Sequence, residues 1–283
     1  MKKTVKPKIE TITKVAKDQM CQNKRQALAQ IKRIKWNIEF KNKNQKWFWD
    51  TISKNSLSFC IGPAGCGKTF VATYWALQNL ANKSSKYDGI IVTKPMVEVD
   101  GEKIGYLPGN VDEKTEPFMQ SVYYNMEQII GKDRLDILRK SGVIKVIPLA
   151  YMRGITLQNK IVIMDEAQNS TPSQIKTFLT RIGTGSKYIV SGDLGQSDLK
   201  AKINGLEDSI RRFTGVYKVG FSKFDMSDIV RHPIVAELLN RYDDDLVLST
   251  EDAEVTLSEW LKDPTWDRPK YNSNYFGNMQ NNA

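Results

Sequence analysis

Between residues 36 and 243 the chain alternates short, nearly unbroken apolar runs with longer stretches whose apolar positions recur every three or four residues. The runs LSFCI (57–61), GIIVTK (89–94), VIKVIP (143–148), KIVIMD (160–165), YIVSGD (188–193) and VYKVGF (216–221) read as β-strands. Helical spacing marks 68–82, 116–130, 133–141, 172–182, 204–213 and 232–242. A strand with one wet face alternates polar and apolar residues. These runs largely do not, so the sheet they build is covered on both faces. Strands and helices in alternation predict an α/β fold with a mainly parallel sheet and helices on both sides.

The flanks differ from this body. Ile9, Ile12, Ala16 and Met20, then Leu28, Ile31 and Ile34, recur at helical spacing, so residues 1–35 form a helical arm with something apolar to cover. Residues 244–283 are rich in Asn and Pro with isolated aromatics. They predict a partly disordered tail that docks through Trp260, Trp266 and Phe276 where it is ordered.

Charge sharpens the division. The 283 residues carry a net charge of +10. Residues 1–46 hold 14 Lys and Arg against three acids, a balance of +11, and the remainder 28 against 29, a balance of −1. A near-neutral body thus carries a basic arm, the pattern of a chain that meets polyphosphate surfaces, nucleic acid being the commonest; a solvated helix or a subunit contact is the alternative. No apolar run approaches the ~20 residues of a membrane span, and no apolar stretch follows the basic start as in a secretory signal. The cysteines Cys21, Cys60 and Cys66 have no metal spacing, which points to a reducing cytoplasm. With His232 as the only histidine, His-based metal or triad chemistry has little to work with.

The chemistry gathers at strand ends. Gly62, Pro63, Ala64, Gly65, Cys66, Gly67, Lys68 and Thr69 fit G-x-x-x-x-G-K-[ST] between an apolar strand and a helical run. The glycines let backbone N–H groups converge on phosphate oxygens, and the helix N-terminus adds its positive end. Lys68 then sits on the β- and γ-phosphates and Thr69 on Mg2+. The run IVIM (161–164) ends on paired acids. Asp165 is placed to hold that Mg2+, and Glu166 to polarise the attacking water as a general base. Ser191, Gly192, Asp193 and Gln196 end one further strand, and Thr93, Lys94 and Pro95 another, where an open parallel sheet puts its ligands.

These segments, with GEKIGYLPGNVDEK, PLAYMRGITL, VSGDLGQSDL and DIVRHPIV, resemble the PhoH-like ATPases, P-loop proteins related to the first RecA-type domain of superfamily 1 helicases. The resemblance covers roughly residues 40–243. It implies an ATPase domain over 36–243 with ATP and Mg2+ as cofactors. Gln45 is similar to the glutamine that reads adenine, and Gln196 to the one that senses the γ-phosphate. Thr93, Lys94 and Arg153 match positions that hold a nucleic-acid backbone. Three positions depart from the pattern: Cys66 stands for Thr, Ile155 for a second Arg, and Asp100 is inserted before GEK. The second leaves Arg153 as the only Arg of its segment. No guanine-reading tetrad follows a strand, so ATP is preferred over GTP.

A two-lobed helicase completes its cleft with arginines from a second lobe, whereas about 40 residues follow Asp243 here, fewer than a domain needs. The expectation is a ring-shaped homo-oligomer, a hexamer, in which Arg231 or Arg181 reaches a neighbour's γ-phosphate. The leading reading is a Mg2+-dependent ATPase that binds single-stranded nucleic acid, RNA favoured, and moves along or unwinds it. The indoles of Trp36, Trp47 and Trp49 are candidate base-stacking surfaces or core residues. The alternative is an ATP-driven, non-translocating switch or scaffold engaging a protein partner. A small-molecule kinase fits poorly with adjacent Asp and Glu and the GD-x-x-Q strand end.

Overall fold

A computed structural model describes residues 6–95, 111–197 and 204–230. Helix α1 (Lys6–Ile31) precedes α2 (Lys43–Lys54), β1 (Leu57–Ile61), α3 (Lys68–Ala81) and β2 (Gly89–Thr93). Then come α4 (Val111–Ile130), α5 (Lys132–Lys140), β3 (Ile144–Val146), β4 (Lys160–Met164), α6 (Pro172–Leu179), β5 (Lys187–Gly192), α7 (Gly205–Phe213) and β6 (Val219–Lys223). The six strands form one sheet in the order β3-β2-β4-β5-β1-β6. Every pairing is parallel, as runs apolar on both faces require.

Successive strand residues point to opposite faces and enter two separate cores. Cys60, Ile90, Val92, Ile161, Ile163 and Ile189 pack with Phe48 and Ile52 of α2, Val71 and Trp75 of α3, and Met126 and Leu135 of α4 and α5. Phe59, Ile91, Val162, Met164, Tyr188 and Val190 pack instead with Ile175 and Phe178 of α6 and Leu206 of α7. Phe178 and Tyr188 meet at 4.9 Å between ring centroids.

Several boundaries depart from the sequence reading, each for a local reason. Helix α2 is not among the helices expected there, because Gln45 and Thr51 occupy two of its four buried positions and hide the apolar period. It starts at Asn42, whose side chain accepts from Gln45 N at 2.8 Å. The last strand runs over 219–223 rather than 216–221. Tyr217 is 85% exposed and Lys218 is left-handed at φ 62, so a turn consumes the first half of the apolar run. Helix α6 begins on a capping box, Thr171 with Gln174, and Pro172 in its first turn, but stops at Leu179, three residues early. Ile182 then bridges to Leu157.

The arm is helical as expected, and its C-terminal end belongs to the body. Ala27 and Ile31 are buried with α3 and α5, and Leu28 and Ile34 pack beside them, whereas Met20 is exposed. The side chains of Ile9, Ile12 and Ala16, and residues 244–283 with the expected helix at 232–242, lie outside the described residues. Among the described residues no helix is long and apolar enough to cross a membrane.

Candidate active site

Because all strands run the same way, the ends of β2, β4, β5 and β1 lie side by side along one sheet edge. β1 opens into the glycine loop, whose Gly65 and Gly67 take φ of 90 and 83. Gly67 is the left-handed entry to α3, which starts without a side-chain cap and leaves its first N–H groups to a ligand. Gly62 N donates to Gly192 O at 3.2 Å, joining the loop to the end of β5. Lys68, buried, donates from Nζ to Gly62 O and Pro63 O, both at 2.7 Å, and so is held under the loop it is expected to serve.

The acids of β4 arrive against this loop. Thr69 Oγ1 lies 3.1 and 3.0 Å from the two carboxylate oxygens of Asp165. Ser191 Oγ, fully buried on β5, donates to Asp165 Oδ1 at 2.8 Å, and Asp165 N donates to Thr93 O at 3.1 Å. Burial pushes the Asp165 carboxyl above the ordinary carboxylate range, Glu166 adds to this, and Ser191, Lys94 and Thr69 oppose it. A buried carboxylate disfavoured in its charged form, touching a hydroxyl at the foot of a phosphate loop, is suited to a divalent cation, which reverses that penalty. Among the described residues no three His, Cys, Asp or Glu converge on a metal site. One carboxylate with one hydroxyl fits Mg2+, which keeps waters and shares phosphate oxygens rather than filling a protein cage.

Glu166 takes a left-handed backbone, φ 54, as a non-glycine residue, a conformation that clusters at functional sites. Its carboxylate is 38% exposed, lies 3.9 Å from Lys94 Nζ, and accepts from Gln168 Nε2 at 2.6 Å. Gln168 is 1% exposed, and its Oε1 accepts from Asp193 N at 3.0 Å. Sequence reasoning assigned Gln168 no role. Its position two residues past Glu166 is visible in the sequence, but the contact with β5 is not.

The remaining expected residues divide. Gln45 is buried against the loop, donating from Nε2 to Cys66 O at 3.0 Å and accepting from Lys41 N at 2.9 Å. A carboxamide keeps a second proton and lone pair for an adenine edge. Gln196 lies exposed in the turn after β5. Lys94 is at the site beside Glu166, and Arg153 is exposed at the end of the 3-10 turn Leu149–Met152. Arg153 lines a groove of about 250 Å3 with Leu149, Ala150, Ser173, Gln174 and Thr177.

Two expectations need correction. Thr93 is fully buried and its hydroxyl has no partner, so it offers a polymer no surface. Arg181 spends three donors within its own chain, on Thr177 O and Ile155 O at 3.2 Å and Thr180 Oγ1 at 3.0 Å, clamping the 153–157 loop to α6. Such a guanidinium is not a free finger. Arg231, Asp100 and residues 101–110 of the GEKIGYLPGNVDEK segment lie outside the described residues, and its last four residues open α4. Cys66 is buried, and burial pushes its thiol up to about 11, so at neutral pH it serves as a protonated loop residue. Of the tryptophans, Trp36 meets Tyr74 edge to face and Trp49 meets it tilted, and Trp47 is 47% exposed.

A parallel sheet in this strand order, with a glycine loop and an Asp meeting at its carboxyl edge, defines a RecA-like P-loop NTPase core. The family model described as PhoH-like protein matches residues 37–243, and the chain belongs to that family. It is 42% identical over 208 residues to the PhoH-like protein of Bacillus subtilis (strain 168), covering 73% of this chain and 64% of that one. It is 38% identical over 205 residues to Protein PhoH of Escherichia coli (strain K12), covering 71% and 57%. The matched segment thus spans less than two thirds of these relatives. Among solved structures, the Pif1 helicase from Bacteroides in complex with ADP-AlF3 and ssDNA aligns at TM-score 0.39 and 16% identity, covering 79% of this chain and 50% of that one. The Pif1 helicase from Candida albicans aligns at 0.37 and 14%, covering 72% and 44%.

Proposed function

We propose that this protein is a Mg2+-dependent ATPase whose turnover is coupled to binding single-stranded nucleic acid, RNA favoured, in the cytoplasm. The observation that carries the reading is the contact of Thr69 with Asp165, with Glu166 one residue further along the same chain. In this reading Lys68 and the loop N–H groups bind the β- and γ-phosphates, and Thr69 and Asp165 hold the cation. When bound, Mg2+ neutralises charge on the phosphate oxygens. Glu166 takes the proton from the attacking water, and Gln45 pairs with adenine. Gln196, in the turn that follows Asp193, faces the γ-phosphate.

The polymer role draws on the basic arm, on Lys94 at the sheet edge and on exposed Arg153 with its groove. Translocation or unwinding by a homohexameric ring is the fullest form of the proposal. With Arg181 bound in its own chain, Arg231 is the arginine assigned to the γ-phosphate. Val230 N donates to Gly65 O at 3.1 Å, so the residue before Arg231 is tied to the phosphate loop of its own subunit. Mixing Arg231→Ala with Lys68→Ala protein distinguishes supply by a neighbour, which restores turnover, from supply within the subunit, which does not.

The test is ATP turnover with and without single-stranded RNA and DNA, repeated for Glu166→Gln. Stimulation by at least one polymer, and near-total loss in the variant with ATP binding retained, is the expected result. Turnover indifferent to every polymer would instead fit an ATP-driven switch.

A further inference from the structure

The space at the end of β5 is closed by two side chains and a main-chain nitrogen. A Cβ added to Gly192 would lie 2.6 Å from Leu206 Cδ2, 2.7 Å from Gln168 Oε1 and 3.2 Å from Ala167 N. Leu206 is fully buried in the α6 core, so its methyl must shift against packed neighbours. Gln168 is held at both ends of its amide, to Glu166 Oε2 and Asp193 N, and its main-chain oxygen accepts from Ser197 Oγ at 3.2 Å. Movement of the Gln168 amide that makes room for a methyl strains its bonds to Glu166 and Asp193. Gly192 does not have a positive φ, so what the position demands is room, not a left-handed backbone.

We propose that Gln168 is a positioning residue for hydrolysis that aims the Glu166 carboxylate, and that residue 192 must be glycine to leave Gln168 its place. The inference rests on the ATPase reading given above. Glu166 is poorly constrained otherwise: its side chain is 38% exposed and Lys94 stands off at 3.9 Å. The 2.6 Å bond from a buried amide is what fixes the carboxylate's direction. Because the same amide accepts from Asp193 N, the turn carrying Gln196 and the base on β4 share one support.

Steady-state ATP turnover and urea midpoints of Gln168→Met, Gln168→Ala, Gly192→Ala and the Ala/Ala double variant provide the test. Gln168→Met removes both bonds at similar volume. Its kcat is expected to fall by about 100-fold, the scale of a roughly 1 Å misplacement of a catalytic group. KM for ATP should change by less than about twofold, since no contact to the phosphate loop is lost. Gly192→Ala should cost a comparable factor alone, but less than about twofold more when added to Gln168→Ala, whose short side chain vacates the space. The urea midpoints should show the same coupling. Multiplying costs in the double variant, or wild-type kcat in Gln168→Met, would overturn the inference. So would a KM that rises as far as kcat falls. If Gly192→Ala does not fold, Gln168→Met decides alone. Failure here, with a wild type that turns over ATP, is distinct from failure of the ATPase reading, in which the wild type itself is inert.

Discussion

Replacing Ser191 by Ala tests the proposed metal side of the site through the residue that braces Asp165 from β5. Ser191 Oγ is fully buried and gives Asp165 Oδ1 a hydrogen bond of 2.8 Å. A hydrogen bond to a charged group contributes about 1.5–3 kcal/mol, which converts to roughly 10- to 150-fold in an equilibrium constant. Partners that orient metal ligands from behind typically change metal affinity by about 10–100-fold. The two routes agree, so the half-saturating Mg2+ concentration for turnover should rise by about 10–100-fold in Ser191→Ala. Maximal turnover at high Mg2+ should recover most of its wild-type value, because Thr69, Asp165 and Glu166 remain in place. Loss of one oxygen creates almost no cavity, but the buried carboxylate loses a partner, so urea unfolding without Mg2+ should show a loss of about 1–3 kcal/mol. The assay is turnover at saturating ATP across a Mg2+ titration. A Mg2+ requirement within about twofold of wild type would refute the reasoning, since independent sites leave one another that undisturbed.

Three further outcomes follow from other parts of the structure. Removing residues 1–26 should weaken oligonucleotide binding and flatten its salt dependence with little change in melting, whereas removing 1–35 should also cost stability through Ala27, Leu28 and Ile31; an unchanged salt slope would make the arm a subunit contact. Phe178→Ala, at the centre of the α6 core against Tyr188, should cost roughly 3–5 kcal/mol in urea unfolding; a loss below about 1 kcal/mol would contradict that packing. Lys187 is buried beneath the end of α2 and donates to the main-chain oxygens of Ile52 and Asn55. Burial, with Lys86 and Lys218 nearby, pushes it down from 10.5 to about 8. Between those values the unfolded chain binds the extra proton, so wild-type stability should rise with pH relative to Lys187→Met. Parallel stability curves for the two proteins would contradict this.

The sheet and the phosphate site were legible because each strand is a continuous apolar run and each functional group sits where a run ends. The glycine loop could be placed from its spacing, and Asp165 and Glu166 from their position after IVIM once that loop supplied a partner for them. What escaped was set by contacts between distant segments. Helix α2 was hidden because Gln45 and Thr51 are polar residues at buried positions, recruited to the loop and to the Trp47 carbonyl one turn back in their own helix. Gln168 has no local signal, since its role depends on β5 lying beside β4. Thr93 was read as a polymer contact because its segment resembles one that holds a nucleic-acid backbone, but its side chain turns into the interior. Arg181 looked available as an arginine finger because the sequence does not show the loop carbonyl of Ile155 arriving beside it.

The central claim is that Thr69 and Asp165 jointly hold a divalent ion beside the glycine loop. Mn2+ titrated into the protein with ADP, read by electron paramagnetic resonance, tests this most directly. Wild type should bind Mn2+ with phosphorus couplings from the nucleotide, and Asp165→Asn should lose affinity by at least about tenfold while still binding ADP. Equal Mn2+ affinity and an unchanged signal in Asp165→Asn would contradict the account.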